Sequence, residues 1–326
     1  MCNGAPQGRG WRSRVAGLLA SLVAAAALTG CGGAARDAGP QVIASGAATG
    51  IYNAYGAGLA AELRDAGFDI ASVQTGGSVD NLRRVGQGEA LLGFAQADAT
   101  ADAIAGTGAF SEPLPITAVA RVYDEYVQVV VPEESAAEEL SDLAGLRVSV
   151  GEADSGVTVI AERVLAAAGI AQSGVDRRAL GIDDSVAALE RGEIDAFFWV
   201  GGVPTPGIDA LSERIALRML PISPSVVEQM GPERSGIYRV TDLPLGAYGT
   251  HDAVETMTVP NVLITSADAP EALVAEATRV LFDAKVRLSP TVPAVALLDR
   301  RQAIFTDPIP LHPGAAEYYV RSRNGS

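Results

Sequence analysis

Few residues of this chain belong to the types that enzymes use as nucleophiles or metal ligands. The 326 residues include two cysteines, Cys2 and Cys31, and two histidines, His251 and His312. These are too few for a zinc cluster, an iron–sulfur site or a disulfide scaffold. The sequence has no Gly-x-Ser-x-Gly turn, and the two histidines lie in a Gly/Asp loop and a Pro-rich tail, so no serine triad is predicted. Carboxylates are plentiful but no pair stands out, and we expect a non-enzymatic protein without cofactor or metal.

Acidic residues outnumber basic ones across the chain. The 39 aspartates and glutamates against 24 lysines and arginines give a formal net charge of −15. Such a surface repels phosphate backbones, so nucleic acid is not an expected partner. The length, together with a hydrophobic fraction of 48%, is enough for two packed units.

Two glycine-bounded loops carry hydroxyl groups in positions where α/β proteins bind ligands. One loop is Gly46–Gly50, which includes Thr49, and the other is Gly151–Gly156, which includes Ser155. Each loop lies between a predicted strand and a predicted helix, whose first turn leaves backbone N–H groups unpaired and partly positive. This arrangement predicts capture of a small carboxylate at the carboxyl ends of the strands. For each hydroxyl alone, helix capping is the alternative.

Aromatic residues make up only 5% of the chain, and three of them are consecutive at Phe197, Phe198 and Trp199. They end a predicted strand. Neighbouring side chains of a strand face opposite ways, so either Phe198 or Trp199 is expected to line a cleft while the other packs in the core.

The elements around the two loops occur in the same order twice. The loops begin 105 residues apart, at Gly46 and Gly151, and the helix-closing glycines Gly88 and Gly192 are 104 residues apart. We therefore predict two α/β lobes of similar plan, each a mostly parallel sheet flanked by helices. Ser78 is predicted to cap the second helix. The predicted strands are 42–44, 69–74, 90–95, 147–150 and 194–200, and the predicted helices are 52–65, 79–86, 157–168, 185–191, 270–288 and 295–304.

Two β-branched segments, 116–122 and 126–131, lie between the lobes with Asp124 and Glu125 between them. They either pair as a hairpin, or the second crosses from one lobe to the other. The segment 257–265 provides a matching return. With two crossings, the first lobe comprises residues 41–124 and 257–326, and the second lobe comprises residues 125–256. Pro308, Pro310 and Pro313 are expected to break the tail after the last helices.

The first thirty residues predict an export signal. Three arginines precede the uncharged apolar run 15–28, whose length suits a signal peptide and is short for a membrane span. Leu28 to Cys31 resembles the bacterial lipobox, in which a peptidase cuts before the cysteine and the cysteine receives lipid. An ordinary secretory signal is the alternative. We expect a lipoprotein signal at 1–30, a lipid anchor at Cys31 and a flexible tether at 31–40, which places the protein outside the cytoplasm.

Seven segments in order resemble one known family. They are Ser45–Tyr52, Thr75–Leu82, Leu92–Asp98, Gly151–Gly156, Gly192–Phe198 with Gly201 and Pro204, Thr258–Leu263, and Leu311–Ala316. This pattern is similar to that of the TAXI solute receptors, the extracytoplasmic binding subunits of one class of TRAP transporter. The resemblance implies a two-lobed fold of periplasmic-binding-protein type II with a two-strand hinge. It also implies a small carboxylate ligand, such as glutamate or a related dicarboxylate, and TRAP membrane permease subunits as partners.

Matching motifs and cleft positions also suggest the ligand-binding residues. Asp154 departs from the family pattern, and it would oppose a second carboxylate or pair with the ammonium of an amino acid. The predicted ligand-binding residues are Gly46, Ala47, Thr49, Gly50, Tyr52, Gly76, Ser78, Asn81, Gln96, Asp98, Asp154, Ser155, Gly156, Val157, Thr158, Phe198, Trp199 and Pro204.

Three other functions remain open from the sequence. A receptor of similar fold can serve an ABC importer or a membrane sensor. A secreted hydrolase can work with a pair of acids, and a surface interaction protein needs no ligand.

Overall fold

The structure is a computed structural model that describes residue 1, residues 40–231 and residues 236–324. The predicted signal peptide beyond its first residue, the predicted lipid anchor Cys31 and the predicted tether up to residue 39 lie outside the described residues. Within those described ranges, no helix combines the length and apolar character that a membrane crossing needs.

The described residues alternate between strands and helices. The strands are β1 (Gln41–Ala44), β2 (Ile70–Val73), β3 (Leu92–Gln96), β4 (Ile116–Pro132), β5 (Arg147–Ser149), β6 (Asp176–Arg178), β7 (Ala196–Gly201), β8 (Leu217–Met219), β9 (Arg239–Asp242) and β10 (Glu255–Ser266). The α-helices are α1 (Ile51–Asp65), α2 (Ser78–Gly86), α3 (Ala97–Ala105), α4 (Gly156–Ala167), α5 (Ile182–Glu190), α6 (Pro206–Ser212), α7 (Pro224–Gln229), α8 (Glu271–Asp283), α9 (Lys285–Leu288) and α10 (Pro313–Asn324).

The strands form one mixed sheet in the order β2-β1-β3-β10-β4-β7-β5-β6, with β8 beside β4 and β9 beside β10. Strand β1 is parallel to β2 and β3, and β5 is parallel to β6 and β7. The two ends of the sheet therefore have the same plan. This confirms the predicted α/β class. We call β1–β3 with α1–α3 the first lobe, and β5–β7 with α4 and α5 the second lobe.

Strands β4 and β10 cross between the lobes at the middle of the sheet. Strand β4 is continuous over 17 residues. Its segment 116–126 pairs antiparallel with β10, and its segment 126–130 pairs antiparallel with β7. The hairpin alternative is therefore wrong, and Glu125 lies inside a strand where the chain passes between the lobes. The predicted lobe boundaries at 124/125 and 256/257, which stay a prediction, fall within these two strands.

Apolar residues spaced along α1 decide which face of the helix lies against the sheet. Tyr55, Leu59 and Leu63 recur every fourth residue and are fully buried against the sheet. Burying a leucine side chain contributes roughly 2 kcal/mol. The Tyr55 ring packs 5.1 Å from the Phe94 ring of β3. Because only the short loop 45–50 separates β1 from α1, and β1 is parallel to β3, the amino end of α1 lies near the carboxyl ends of both strands.

Several predicted elements differ in the structure. Ser78 is the first residue of α2 rather than its cap; the N-cap is Gly77, whose φ of 113° favours glycine. The predicted helix 295–304 is wrong, because the chain forms a short 3₁₀ helix over Pro293–Leu297 and then turns. Pro313 begins α10 instead of only breaking the tail, since a first helical residue needs no N–H partner.

Candidate ligand-binding cleft

A cavity lies between the two lobes, beside the carboxyl ends of their parallel strands. Its volume is about 120 Å³. Thirteen of the eighteen predicted binding residues line the cavity: Gly46, Ala47, Thr49, Gly50, Tyr52, Gly76, Ser78, Gln96, Ser155, Gly156, Val157, Trp199 and Pro204. The order of the strands explains this convergence, because it turns both glycine-bounded loops toward the same gap.

Three of the remaining five predicted residues have structural roles next to the cavity. The Asn81 amide donates to the carbonyls of Ser45 at 2.6 Å and Phe94 at 2.7 Å. It thereby joins α2 to the ends of β1 and β3. Phe198 is buried in the core, which leaves Trp199 as the cavity-facing aromatic of that pair. The Thr158 hydroxyl donates to the carbonyl of Glu152 at 2.8 Å.

Two helix starts from opposite lobes border the cavity. In α1, the N–H groups of Ile51 and Tyr52 donate to no other group in the described part of the chain. In α4, the same is true of Gly156 and Val157. The Ser155 hydroxyl accepts from the Thr158 N–H at 3.2 Å, so it caps α4 as the alternative interpretation expected. Four donors and two helix dipoles therefore face a shared space that suits a small anion.

The lobes touch at the mouth of the cleft. The carbonyl of Asp154 accepts from the N–H groups of Val79 at 3.1 Å and Asp80 at 3.2 Å. The carboxylate of Asp154 pairs with Arg83 at 2.7 Å. The Thr49 hydroxyl donates to Asp183 at 3.0 Å. The structure is thus a closed arrangement, and Asp154 joins the lobes without lining the cavity.

Glu125 is a cavity residue that the sequence reasoning missed. Its side chain lines the cavity from β4, although the residue is only 5% exposed. It accepts hydrogen bonds from the hydroxyl of Tyr123 at 3.1 Å and the amide of Gln96 at 3.4 Å. Burial raises the pKa of the Glu125 carboxyl to about 7; the polar side chains of Asn261, Gln96 and Tyr123 offset this only in part. A signal was present, since an acid between two apolar β-branched segments is costly to bury without a purpose.

The charged residues that line the cavity are all acidic. Of the residues that the structure places around the cavity, none is lysine, arginine or histidine, whereas two, Glu125 and Glu152, are acidic. Apolar side chains such as Ile51, Val157 and Trp199 provide much of the rest. The indole N–H of Trp199 donates to the Thr205 hydroxyl at 3.0 Å, which fixes the ring. An anionic group in this cavity has backbone N–H groups and hydroxyls as its partners.

Tyr52 links the cavity to the crossing strands. Its hydroxyl donates to the side-chain oxygen of Asn261 on β10 and lies 3.5 Å from the Ser78 hydroxyl. Its ring stacks on Phe94 at a centroid distance of 5.5 Å. Burial and the nearby Glu125 carboxylate raise the pKa of the Tyr52 hydroxyl, so it acts as a neutral hydrogen-bonding group.

A second set of buried polar side chains lies near the cleft. We call this set the arginine cluster; it consists of Asp98, Asp102, Arg163 and Tyr238. Arg163 of α4 in the second lobe contacts both carboxylates on α3 in the first lobe, and Tyr238 donates to Asp98 at 2.8 Å. Burial disfavours the charge on Arg163, but the two carboxylates outweigh it and raise the Arg163 pKa. Asp98 therefore joins the lobes, and it does not line the cavity.

No metal-binding geometry is found in residues 40–231 and 236–324. In these ranges no three histidine, cysteine, aspartate or glutamate side chains are grouped so that they can hold an ion.

Comparison with known proteins gives a family and a fold. A sequence model of the NMT1-like family matches residues 43–321. A Xanthomonas citri protein solved with ATP has a TM-score of 0.53 at 13% identity, covering 88% of this chain and 99% of that one. A Bordetella bronchiseptica protein has a TM-score of 0.53 at 16% identity, covering 87% and 88%. The alkanesulfonate-binding protein SsuA from Xanthomonas axonopodis pv. citri, solved with MOPS, has a TM-score of 0.50 at 18% identity, covering 87% and 84%.

These comparisons confirm that the fold is that of periplasmic solute-binding proteins. The family match does not by itself identify a TAXI receptor, so the TAXI assignment stays a prediction.

Proposed function

Because the chain belongs to the NMT1-like family and has the solute-binding fold, we propose that it is an extracytoplasmic solute-binding protein. It takes up one small ligand between its lobes and presents that ligand to a membrane importer. The observation that carries this proposal is the pair of helix starts, α1 and α4, whose free N–H groups face one cavity from opposite lobes.

The mechanism is closure of the lobes on the ligand. The cavity borders on both lobes, so a ligand makes its full set of contacts only when they meet. Binding therefore favours the closed arrangement in proportion to those additional contacts. Strands β4 and β10 connect the lobes and act as the hinge. No bond of the ligand is broken.

The ligand carries an anionic group, by our proposal a carboxylate or a sulfonate. Two helix starts with free N–H groups suit either group without an arginine. The predicted dicarboxylate is less well matched to this cavity than a monoanion, because no cationic side chain among the described lining residues faces a second carboxylate. Glutamate and dicarboxylates remain in the screen described below.

Two observations bear on the class of importer. The ordered motifs resemble TAXI receptors, which implies a TRAP-type permease driven by an ion gradient. The comparisons agree better with the alternative, a binding protein of an ABC importer. Uptake by membrane vesicles that contain the permease separates the two classes. Uptake that requires ATP supports the ABC type, and uptake that stops when the ion gradient is collapsed supports the TRAP type.

The anchoring at Cys31 is also part of the proposal. A lipid on this cysteine keeps the protein at the membrane surface beside its importer. Metabolic labelling with a radioactive fatty acid, compared between the natural chain and Cys31→Ser, tests this point. Equal labelling of the two proteins contradicts it.

Ligand binding itself is tested by thermal shift of the purified protein. The panel contains amino acids, their deaminated counterparts, dicarboxylates and sulfonates. A ligand of the cavity raises the melting temperature as its concentration rises. A flat response to the whole panel, together with turnover of ester or glycoside substrates, overturns the proposal in favour of a hydrolase.

A sharper test removes one donor at the start of α1. Ile51→Pro deletes the N–H of Ile51 at the first helical position, where proline is well tolerated, and Gly50 already has extended backbone angles. Losing a hydrogen bond to a charged ligand group weakens binding by roughly 10- to 100-fold. Ile51→Ala is the matched control, since it removes the side chain but keeps the N–H. Equal affinities of the two variants contradict the anion site.

A further inference from the structure

Glu125 is the one buried acid in the cavity lining, and the structure provides no cation for it. The other acidic lining residue, Glu152, is exposed. The polar contacts of the Glu125 carboxylate are with neutral groups: the Tyr123 hydroxyl, the Gln96 amide and the side chain of Asn261. The arginine cluster, by contrast, holds a guanidinium between its acids. A buried carboxylate without a countercharge is unfavourable, and a cleft allows a ligand to supply that charge.

We propose that Glu125 is a specificity-determining residue that binds a cationic ammonium group on the ligand. The ligand class is then an amino acid or aminosulfonate, with its anionic end at the helix starts and its ammonium at the crossing strand β4. This inference rests on the proposed function and narrows it.

The surroundings of Glu125 suit an ammonium group. The side-chain oxygen of Gln96 is buried and has no hydrogen-bond partner, although its residue lines the cavity. It lies next to Gly156, where an added Cβ would come within 2.2 Å of it. An ammonium has three donors and no acceptor, so a carboxylate and an adjacent amide oxygen are the partners that it requires.

Asp154, which from the sequence could either oppose a second carboxylate or pair with an ammonium, is placed differently. Its carboxylate is half exposed, pairs with Arg83 at the mouth and does not line the cavity. Glu125 instead faces the same cavity as the free N–H groups of α1 and α4. The two charges of a zwitterion thus meet complementary groups within one small space.

The same arrangement predicts that ligand binding changes the protonation of Glu125. The titratable groups around Glu125 are Tyr123 on its own strand and Tyr52 on α1, and Asp98 on α3 also acts on Tyr52. With its pKa raised to about 7, the Glu125 carboxyl is substantially protonated at neutral pH before ligand binds. An arriving ammonium favours the ionised carboxylate, so binding releases protons to the buffer.

The experiment uses matched ligand pairs that differ only in the amino group. The pairs are L-glutamate with glutarate, L-leucine with 4-methylpentanoate, L-alanine with propionate, and taurine with ethanesulfonate. Affinities are measured by calorimetry for the natural chain, for Glu125→Gln, and for Glu89→Gln as a control that neutralises an exposed surface acid. We expect the amine of the best pair to bind at least tenfold more tightly than its counterpart, and Glu125→Gln to abolish this preference while Glu89→Gln retains it.

Calorimetry of the natural chain in two buffers of different ionisation enthalpy gives a second readout, independent of any variant. Proton release near pH 7 supports the inference, and its absence overturns it. Equal binding of both members of each pair also overturns it but leaves the proposed function standing. If Glu125→Gln still prefers the amine-bearing member of a pair, Glu125 does not bind the ammonium group. Failure of the whole panel to bind overturns the proposed function itself.

Discussion

Two buried carboxylates lie where the lobes meet, and they differ in what balances their charge. Asp98 is fully buried and contacts Arg163 and the Tyr238 hydroxyl, although its second oxygen has no partner. Glu125 is almost as buried, but its partners are neutral and its side chain reaches the cavity. The chain supplies the countercharge of Asp98, and by our proposal a ligand supplies that of Glu125. Burial alone therefore does not separate a structural acid from a binding acid.

The largest effect is expected from breaking the arginine cluster. Arg163→Ala removes the guanidinium that contacts both acids and leaves the buried Asp98 without its cation, which costs about 3–5 kcal/mol of unfolding free energy. Urea denaturation measures the loss. The control is Arg279→Ala, which removes an exposed arginine paired with Glu276 and Asp283 and should cost less than about 1 kcal/mol. Similar losses of unfolding free energy in both variants would show that Asp98 does not depend on Arg163 for its countercharge, and the contrast with Glu125 would not hold.

The next effect is a pH dependence at Glu125. Burial raises its pKa from 4.5 to about 7 in the folded protein, so the folded state holds a proton there that the unfolded state has released. Folding stability from this group therefore falls as pH rises from about 4.5 to 7, by about 3 kcal/mol at 1.36 kcal/mol per pKa unit.

The glutamine side chain of the Glu125→Gln variant does not titrate, so this variant lacks the pH dependence that comes from Glu125. Without ligand, it should equal the natural chain in stability near pH 4 and exceed it by about 3 kcal/mol near pH 8. Denaturation curves across this pH range measure the difference, with Glu89→Gln as the control. A difference that does not change with pH would mean that Glu125 is already balanced by the protein.

A smaller effect is expected where the second lobe contacts Gln96. In Gly156→Ala the added Cβ would lie 2.2 Å from the Gln96 side-chain oxygen and 2.7 Å from the Ser78 hydroxyl. Such overpacking costs roughly 1–3 kcal/mol in the closed arrangement, so ligand affinity should fall about 10- to 100-fold. Gly207→Ala is the control, because its Cβ has room at 3.7 Å. Equal affinities would show that closure at Gln96 is not needed.

The smallest effect is expected at the mouth. The Arg83–Asp154 pair is substantially exposed, with 38% and 53% of its side chains accessible. Asp154→Asn should therefore change the affinity by about fivefold or less, and added salt should reduce even this. Calorimetry at two salt concentrations measures it. A loss of 100-fold would instead favour Asp154 as the ammonium-binding acid, one of the two alternatives that the sequence left open for it.

The repeated plan and most elements could be predicted from the sequence because they depend on local patterns. Apolar spacing in α1 and the two glycine-bounded loops indicated both lobes and their shared cleft. The predicted helix 295–304 was wrong because apolar residues also recur in turns that cover a core. Asp98 and Glu125 could not be distinguished, since their difference depends on whether a residue distant in the chain, Arg163 for Asp98, packs against them.

The position of Trp199 makes the cleft observable in solution. The chain has two tryptophans, Trp11 and Trp199, and the first lies in the predicted signal. In a protein prepared without residues 1–30, all indole emission arises from the wall of the cavity. Intrinsic fluorescence thus reports on the cleft without a label, and quenching by small solutes distinguishes open from shut populations during a titration.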